Sequence, residues 1–131
     1  MIFMIDDDED ALEIYAMLIE KSGYSDLFVT YSSGVEALEA LKELHSEGKK
    51  FPRYILLDLN MPELGGVDFV EKYEELYYPQ YAQTEIVILT SSVREKDNEE
   101  ALQYDAVSRF ISKPLSKERL VEMLSESASK S

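Results

Sequence analysis

The sequence predicts an α/β domain: five βα units forming a parallel sheet with helices on both faces, a three-layer sandwich. Three observations carry this. Apolar runs of strand length alternate five times with segments of helical period, and such alternation implies βαβ crossovers. The third and fourth apolar runs have hardly a polar residue, as strands buried on both faces require. The length, 131 residues, suits one domain with its own core and no metal or disulfide staple. The domain is expected to span residues 1–127, with 128–131 a frayed tail.

Met1–Ile5 is the first strand. A helix follows from Glu9 to about Ser22, with Ala11, Tyr15, Leu18 and the neighbouring Leu12 and Ile19 on one face and Gly23 at its C-cap. Leu27–Tyr31 is a short second strand, and Gly34 to Ser46 a helix with Val35, Leu38, Leu41 and Leu44 spaced three apart and Gly48 near its end. The third strand is Tyr54–Leu59. The third helix runs from Val67 to Tyr77, apolar at Val67, Val70, Tyr73 and Leu76, and is stopped by Pro79. Ile86–Thr90 is the fourth strand, Lys96 to Tyr104 a charged fourth helix, and Val107–Ser112 the fifth strand. Ser116 reads as the N-cap of a last helix to about Ser127, with Leu115 and Leu120 as its hydrophobic staple. Two loops are unusual. HSEGKKFPR, after the second helix, is long and should extend a surface away from the strand ends. EELYYPQYAQTE places Tyr77, Tyr78 and Tyr81 around Pro79, where packing of the loop onto the domain competes with an interface.

Composition excludes several functions. There is no cysteine, hence no disulfide, thiol catalysis or thiolate metal site, in keeping with a reducing, cytoplasmic setting. Apolar runs are too short to span a bilayer, and no basic residue precedes the N-terminal apolar run as in a secretory signal. With 27 acids against 13 bases the formal charge is −14, which repels nucleic acid and anionic lipid, so neither is an expected partner. Most of these acids serve solubility, but five of the 27 sit between Asp6 and Asp10.

Parallel strands open their carboxyl ends on one edge, and in open α/β sheets that edge binds ligands. Strand one ends in Asp6-Asp7-Asp8, strand three in Asp58, strand four in Thr90-Ser91-Ser92, and strand five in Ser112-Lys113-Pro114. Each has a plain structural reading: Asp8 as a helix cap, Asp58 as a turn residue, Thr90 as a loop hydroxyl, Lys113 as a rim residue. Their coincidence at strand ends points to a site. Carboxylates a few Å apart do not all stay ionised without a cation, and oxygen donors without His or Cys suit Mg²⁺. A carboxylate beside such a cation, with Lys113 and Thr90 opposite, is equipped to accept a phosphoryl group as an acyl phosphate.

With those residues in hand, the chain resembles a stand-alone response regulator receiver domain, the aspartate-phosphorylated half of two-component signalling. The resemblance rests on DDDED after strand one, ILLDLNMP, IVILTSS and FISKPL. It implies a flavodoxin-like doubly wound (βα)5 fold with strand order 2-1-3-4-5. It also implies Asp58 as phosphoacceptor, Mg²⁺ bound by Asp7 and Asp58, Asp6 acting through water, and Asn60 offering its backbone carbonyl. Thr90 and Lys113 would assist transfer, Thr90 and Phe110 would form the switch, and a cis bond would precede Pro114. The donor would be a sensor histidine kinase or histidine phosphotransfer protein, and the output a downstream protein bound through the face of helix four, strand five and the last helix. A weak homodimer is compatible with this. Such a chain promotes its own phosphorylation and slow dephosphorylation but is not a turnover enzyme.

Departures from the family pattern are Gly65 before Gly66, Tyr104-Asp105-Ala106 in place of Gly-Ala, and one extra residue between Thr90 and Lys113. The last sets Ser91 beside Thr90 as a candidate, with strand register favouring Thr90. Two other readings stand. A haloacid dehalogenase-like aspartyl phosphohydrolase also places Asp after an apolar strand, but carries a second acid where Asn60 stands here. The fold could also act by binding alone, without phosphorylation. An EF-hand reading of the acidic run fails, because its glycine position is Ala11 and its closing acid position is Met17.

Overall fold

A computed structural model of the chain describes residues 1–59, 65–90 and 103–129. Its strands are β1 (Ile2–Ile5), β2 (Phe28–Tyr31), β3 (Tyr54–Asp58), β4 (Glu85–Thr90) and β5 (Val107–Ser112). They form one parallel sheet in the order β2-β1-β3-β4-β5, the order expected from the resemblance. The helices are α1 (Glu9–Leu18), α2 (Gly34–Ser46), α3 (Gly66–Leu76) and a C-terminal helix, Lys117–Ser129; Ser25–Leu27 forms a 3₁₀ turn between α1 and β2.

The pleat sends alternate residues of each central strand into two separate cores. Phe3, Ile5, Ile55, Leu57, Ile86 and Ile88 face α2 and α3, joined by Leu41, Phe69, Val70 and Tyr73. Ile2, Met4, Tyr54, Leu56, Val87 and Leu89 face α1 and the C-terminal helix, joined by Leu12, Tyr15, Leu120 and Leu124. Strands buried on both sides can only be apolar, and β3 is buried along its whole length.

Several local expectations need correction. α1 ends at Leu18 rather than Ser22, because the Ile19 carbonyl is taken by the Ser22 amide at 2.9 Å and the Ser22 hydroxyl at 2.6 Å. Serine side chains compete in this way with continued helix. Gly23, at φ +87°, then turns the chain in a conformation that other residues resist. On α3 the buried face is Phe69, Val70, Tyr73 and Tyr77, while Leu76 is 58% exposed. The C-terminal helix continues to Ser129, past its expected end at Ser127. Of the predicted fourth helix, Tyr104 lies in a turn, and residues 96–102 fall outside the described residues.

Candidate functional site

The acidic edge is built by strand ends. β1 runs straight into Asp6, which is 1% exposed, and β3 closes on Asp58, 6% exposed. Asp7 stands beside them, exposed to solvent. One carboxylate oxygen from each of Asp6, Asp7 and Asp58 lies within 4.8 Å of the other two. Asp8 turns away from this group: its carboxylate accepts from the amides of Asp10 at 3.1 Å and Ala11 at 3.2 Å, capping α1. That is the capping role its position suggested.

Lys113 reaches the cluster from just beyond β5. Its Nζ donates to Asp6 Oδ2 at 3.0 Å and stands 3.4 Å from Asp58 Oδ2. Burial by itself depresses the pKa of this ammonium, but its hydrogen bond to Asp6 and the charges of Asp58 and Asp6 outweigh that, so it stands above the usual lysine value. The lysine is therefore a fixed cation. Its backbone amide also donates to the Thr90 carbonyl at 3.0 Å, tying the ends of β4 and β5 together. Thr90 closes β4 and is 7% exposed.

Phe110 lies on β5, partly buried against the α2–α3 core, with Ile88 as its register partner. The Lys113–Pro114 bond is cis. Asn60 and Ser91 lie outside the described residues.

Two supporting residues have roles that sequence reasoning passed over. Gly66 opens α3 directly beneath the end of β3: a Cβ there would sit 2.6 Å from Leu59 Cα and 3.1 Å from the Asp58 carbonyl. Only glycine lets the helix approach the strand that carries Asp58 so closely. Tyr15 sits on the apolar face of α1, but its hydroxyl accepts the Leu115 amide at 3.1 Å, fixing the turn after Lys113. The available signal was a tyrosine in a core stripe, whose polar tip must find a partner.

Three oxygen-donor carboxylates, two of them buried, match the requirements of a hard divalent cation, and the two buried ones flank an ammonium that already offsets part of their charge.

Similarity to known proteins agrees with this geometry. The family model for the response regulator receiver domain matches residues 2–125. The polar-differentiation response regulator DivK of Brucella ovis is 29% identical over 126 residues, covering 94% of this chain and 91% of DivK. A probable C4-dicarboxylate response regulator, DctR of Halalkalibacterium halodurans, is 29% identical over 125 residues, 95% of this chain and 50% of DctR. Among solved structures, a two-component response regulator from Cytophaga hutchinsonii has a TM-score of 0.76 at 24% identity, covering 98% of this chain and 96% of that one. The chemotaxis protein CheY4 of Vibrio cholerae has a TM-score of 0.69 at 23% identity, covering 96% of each chain. These structural likenesses establish the fold, and the family match removes the phosphohydrolase alternative. With the strand order, the acidic edge and a family match over almost the whole length in accord, the chain belongs to the response regulator receiver domains of two-component signalling.

Proposed function

We propose that this domain accepts a phosphoryl group on Asp58 from a phosphohistidine of a sensor kinase or phosphotransfer protein, and that the modification switches its binding to a downstream protein. The observation that carries this reading is Lys113 bridging Asp6 and Asp58 inside a cluster of three carboxylates. The Asp58 carboxylate attacks phosphorus; the new Oδ–P bond forms as the P–N bond to the donor imidazole breaks, and the imidazole leaves with the electron pair. Asp58 sits at the end of a strand buried on both faces, so its carboxylate is held in place before the donor arrives. Lys113 exchanges part of its pairing with Asp58 for a phosphoryl oxygen, and the Thr90 hydroxyl donates to another. Asp7 and Asp58 would hold Mg²⁺ directly and Asp6 through water, with Asn60 adding its carbonyl; that ion would supply positive charge against the phosphoryl oxygens.

The same geometry supports a switch. Ile88, opposite Phe110, precedes Thr90 by two residues and shares its face of β4. When Thr90 is drawn toward a phosphoryl group, space opens on that face for the Phe110 ring to turn inward, reshaping the surface of β5 and the C-terminal helix. The domain, residues 1–127, promotes its own modification and slow hydrolysis and has no second substrate to turn over. Among the described residues no helix is long and apolar enough to cross a membrane, and the acidic surface disfavours nucleic acid and lipid. A cytoplasmic setting, protein partners and at most a weak homodimer complete the proposal.

Intact mass after incubation with a small acyl-phosphate donor tests it. One phosphoryl addition that needs both Mg²⁺ and Asp58 is expected, lost on EDTA treatment and in Asp58→Ala. No addition under any condition would leave a receiver fold that works by binding alone.

A further inference from the structure

The two unusual loops of the sequence meet at the opposite pole of the sheet. They border an open cavity of about 670 Å³, a size that takes a drug-sized molecule. Its lining includes Leu27, Arg53 and Thr84, each the residue immediately before a strand, so it lies at the amino ends of β2, β3 and β4. The acidic site lies at their carboxyl ends, a strand length away.

The wall is aromatic and fixed. Phe51 and Tyr81, both lining residues, stack at 3.6 Å between ring centroids and 6° between planes. The Tyr81 hydroxyl is 2.8 Å from His45 Nδ1, and Tyr77 packs edge-on against Phe51. At the floor, the Thr84 hydroxyl donates to the Pro52 carbonyl at 2.7 Å. The tyrosine-rich loop is thereby packed onto the domain.

The charge of the wall is opposite to that of the chain. Among the described residues that line the cavity none has an acidic side chain, although 27 of the 131 residues do, and two have cationic side chains, Lys50 and Arg53. Arg53 is held in place: its Nη1 donates to the Gln83 carbonyl at 3.0 Å and to Glu85, and its guanidinium lies 4.6 Å from the Tyr54 ring centre. A guanidinium carries five N–H donors. Those on Nε and Nη2 have no hydrogen-bond partner among the described residues.

From this we infer that the cavity is a binding site for a small amphipathic anion: an aromatic body against Phe51 and Tyr81, and a carboxylate or similar head toward Lys50 and Arg53. In a chain of net charge −14, a largely apolar hollow with no acid in its lining, and with the Lys50 ammonium and the spare N–H donors of the Glu85-paired Arg53 at its rim, favours an anionic head over the surrounding acidic surface.

Amide NMR titration with 2-naphthoate tests this, with neutral 2-naphthol as the uncharged counterpart. Lys50→Glu, a change at an exposed side chain, serves as the charge variant and Asp58→Asn as the control for the other pole. Saturable shifts at Leu27, Phe51, Tyr81 and Thr84 are expected, with a Kd at or below about 1 mM for a ligand of this size. Lys50→Glu should weaken 2-naphthoate by about fivefold or more and leave 2-naphthol unchanged, while Asp58→Asn should leave both unchanged. The inference is overturned by an absence of saturable shifts to about 10 mM, by shifts centred on the acidic edge, or by a Lys50→Glu variant that binds 2-naphthoate as the parent does.

Discussion

Replacing Lys113 by methionine tests whether the acidic edge is electrostatically one unit. The substitution keeps most of the stem and removes the ammonium that stands 3.0 Å from Asp6 and 3.4 Å from Asp58. At an effective dielectric of about 20, each of these attractions is worth roughly 5 kcal/mol before desolvation is subtracted. Losing them also exposes the mutual repulsion of carboxylates that lie within 4.8 Å of one another, roughly 3 kcal/mol per pair on the same scale. The gross figure overstates the loss, because the cluster can shed charge by binding a proton. Holding a proton on an ordinary carboxylate at neutral pH, about three units above its usual range, costs about 4 kcal/mol, and that caps the penalty. A loss of about 3–4 kcal/mol is therefore expected at pH 7.5 in EDTA, in line with the cost of stripping one partner from a buried ion pair. The sign with pH follows. If the folded variant carries an extra proton that its unfolded chain lacks, its deficit shrinks as pH falls toward 5. A divalent cation should shrink it too, because without the competing ammonium the folded variant binds it more tightly than the parent does. Urea denaturation of both proteins at pH 7.5 and 5.5, with EDTA or Mg²⁺, reads all of this. A deficit under about 1 kcal/mol that ignores both pH and cation would mean the three carboxylates are solvated independently, and the electrostatic argument would fail.

Further outcomes are expected elsewhere. Gly66→Ala should lose about 2–3 kcal/mol and slow Asp58 phosphorylation, since its Cβ meets backbone at 2.6 Å, whereas Gly65→Ala, whose nearest neighbour is a side-chain oxygen at 3.6 Å, should be tolerated. Equal melting temperatures for the two variants would contradict the close-approach argument. Asp8→Ala should cost about 1 kcal/mol of stability through the lost cap and leave cation affinity, read by calorimetric titration, nearly unchanged. Tyr73 is fully buried, and its hydroxyl has no aligned hydrogen-bond partner among the described residues. Burial pushes its phenol up to about 12, a rise only partly offset by the Thr84 hydroxyl beside it. Unfolded tyrosine ionises near pH 10, so the folded state binds more protons between pH 10 and 12, and stability falls across that window by roughly 2–3 kcal/mol. Tyr73→Phe should remove that part of the alkaline loss while changing stability at pH 7 by less than about 1 kcal/mol, as urea midpoints at the two pH values would show.

What was legible in the sequence divides along physical lines. β1, β3 and β4 were readable to within a residue at either end because strands buried on both faces tolerate little but apolar side chains, and the partly buried edge strands β2 and β5 were readable to the same margin from their β-branched and aromatic residues. Helix faces were less legible where residues were counted off in threes. At about 100° per residue, three steps of three carry a side chain half-way round the helix. Val67 and Leu76 are nine apart, so Leu76 points to solvent while Phe69, Val70, Tyr73 and Tyr77 fill the core. Val35 and Leu44 stand in the same relation on α2, where the fully buried residues include Ala37 and Leu41, four apart. The early end of α1 was illegible for another reason: it depends on which group the Ile19 carbonyl accepts, a competition settled by local hydroxyls rather than by periodicity.

The same contrast separates the two poles of the molecule. Asp6, Asp58, Thr90 and Lys113 could be placed on one edge from sequence because parallel strands bring their carboxyl ends together whatever the loops do. The direction of the sheet does the assembling, and each residue needs only to follow its strand. The cavity at the amino ends obeys no such rule. Leu27, Arg53 and Thr84 also share an edge, but an edge becomes a cavity only when loops fold over it, and here that depends on Tyr81 stacking on Phe51 across thirty residues of sequence. No motif records such a contact. The sequence did carry its two halves, a long basic loop and a tyrosine-rich loop around Pro79, each odd in isolation. Their pairing explains both: the long loop supplies Lys50, Phe51 and Arg53, and the other supplies the ring that holds Phe51 in place.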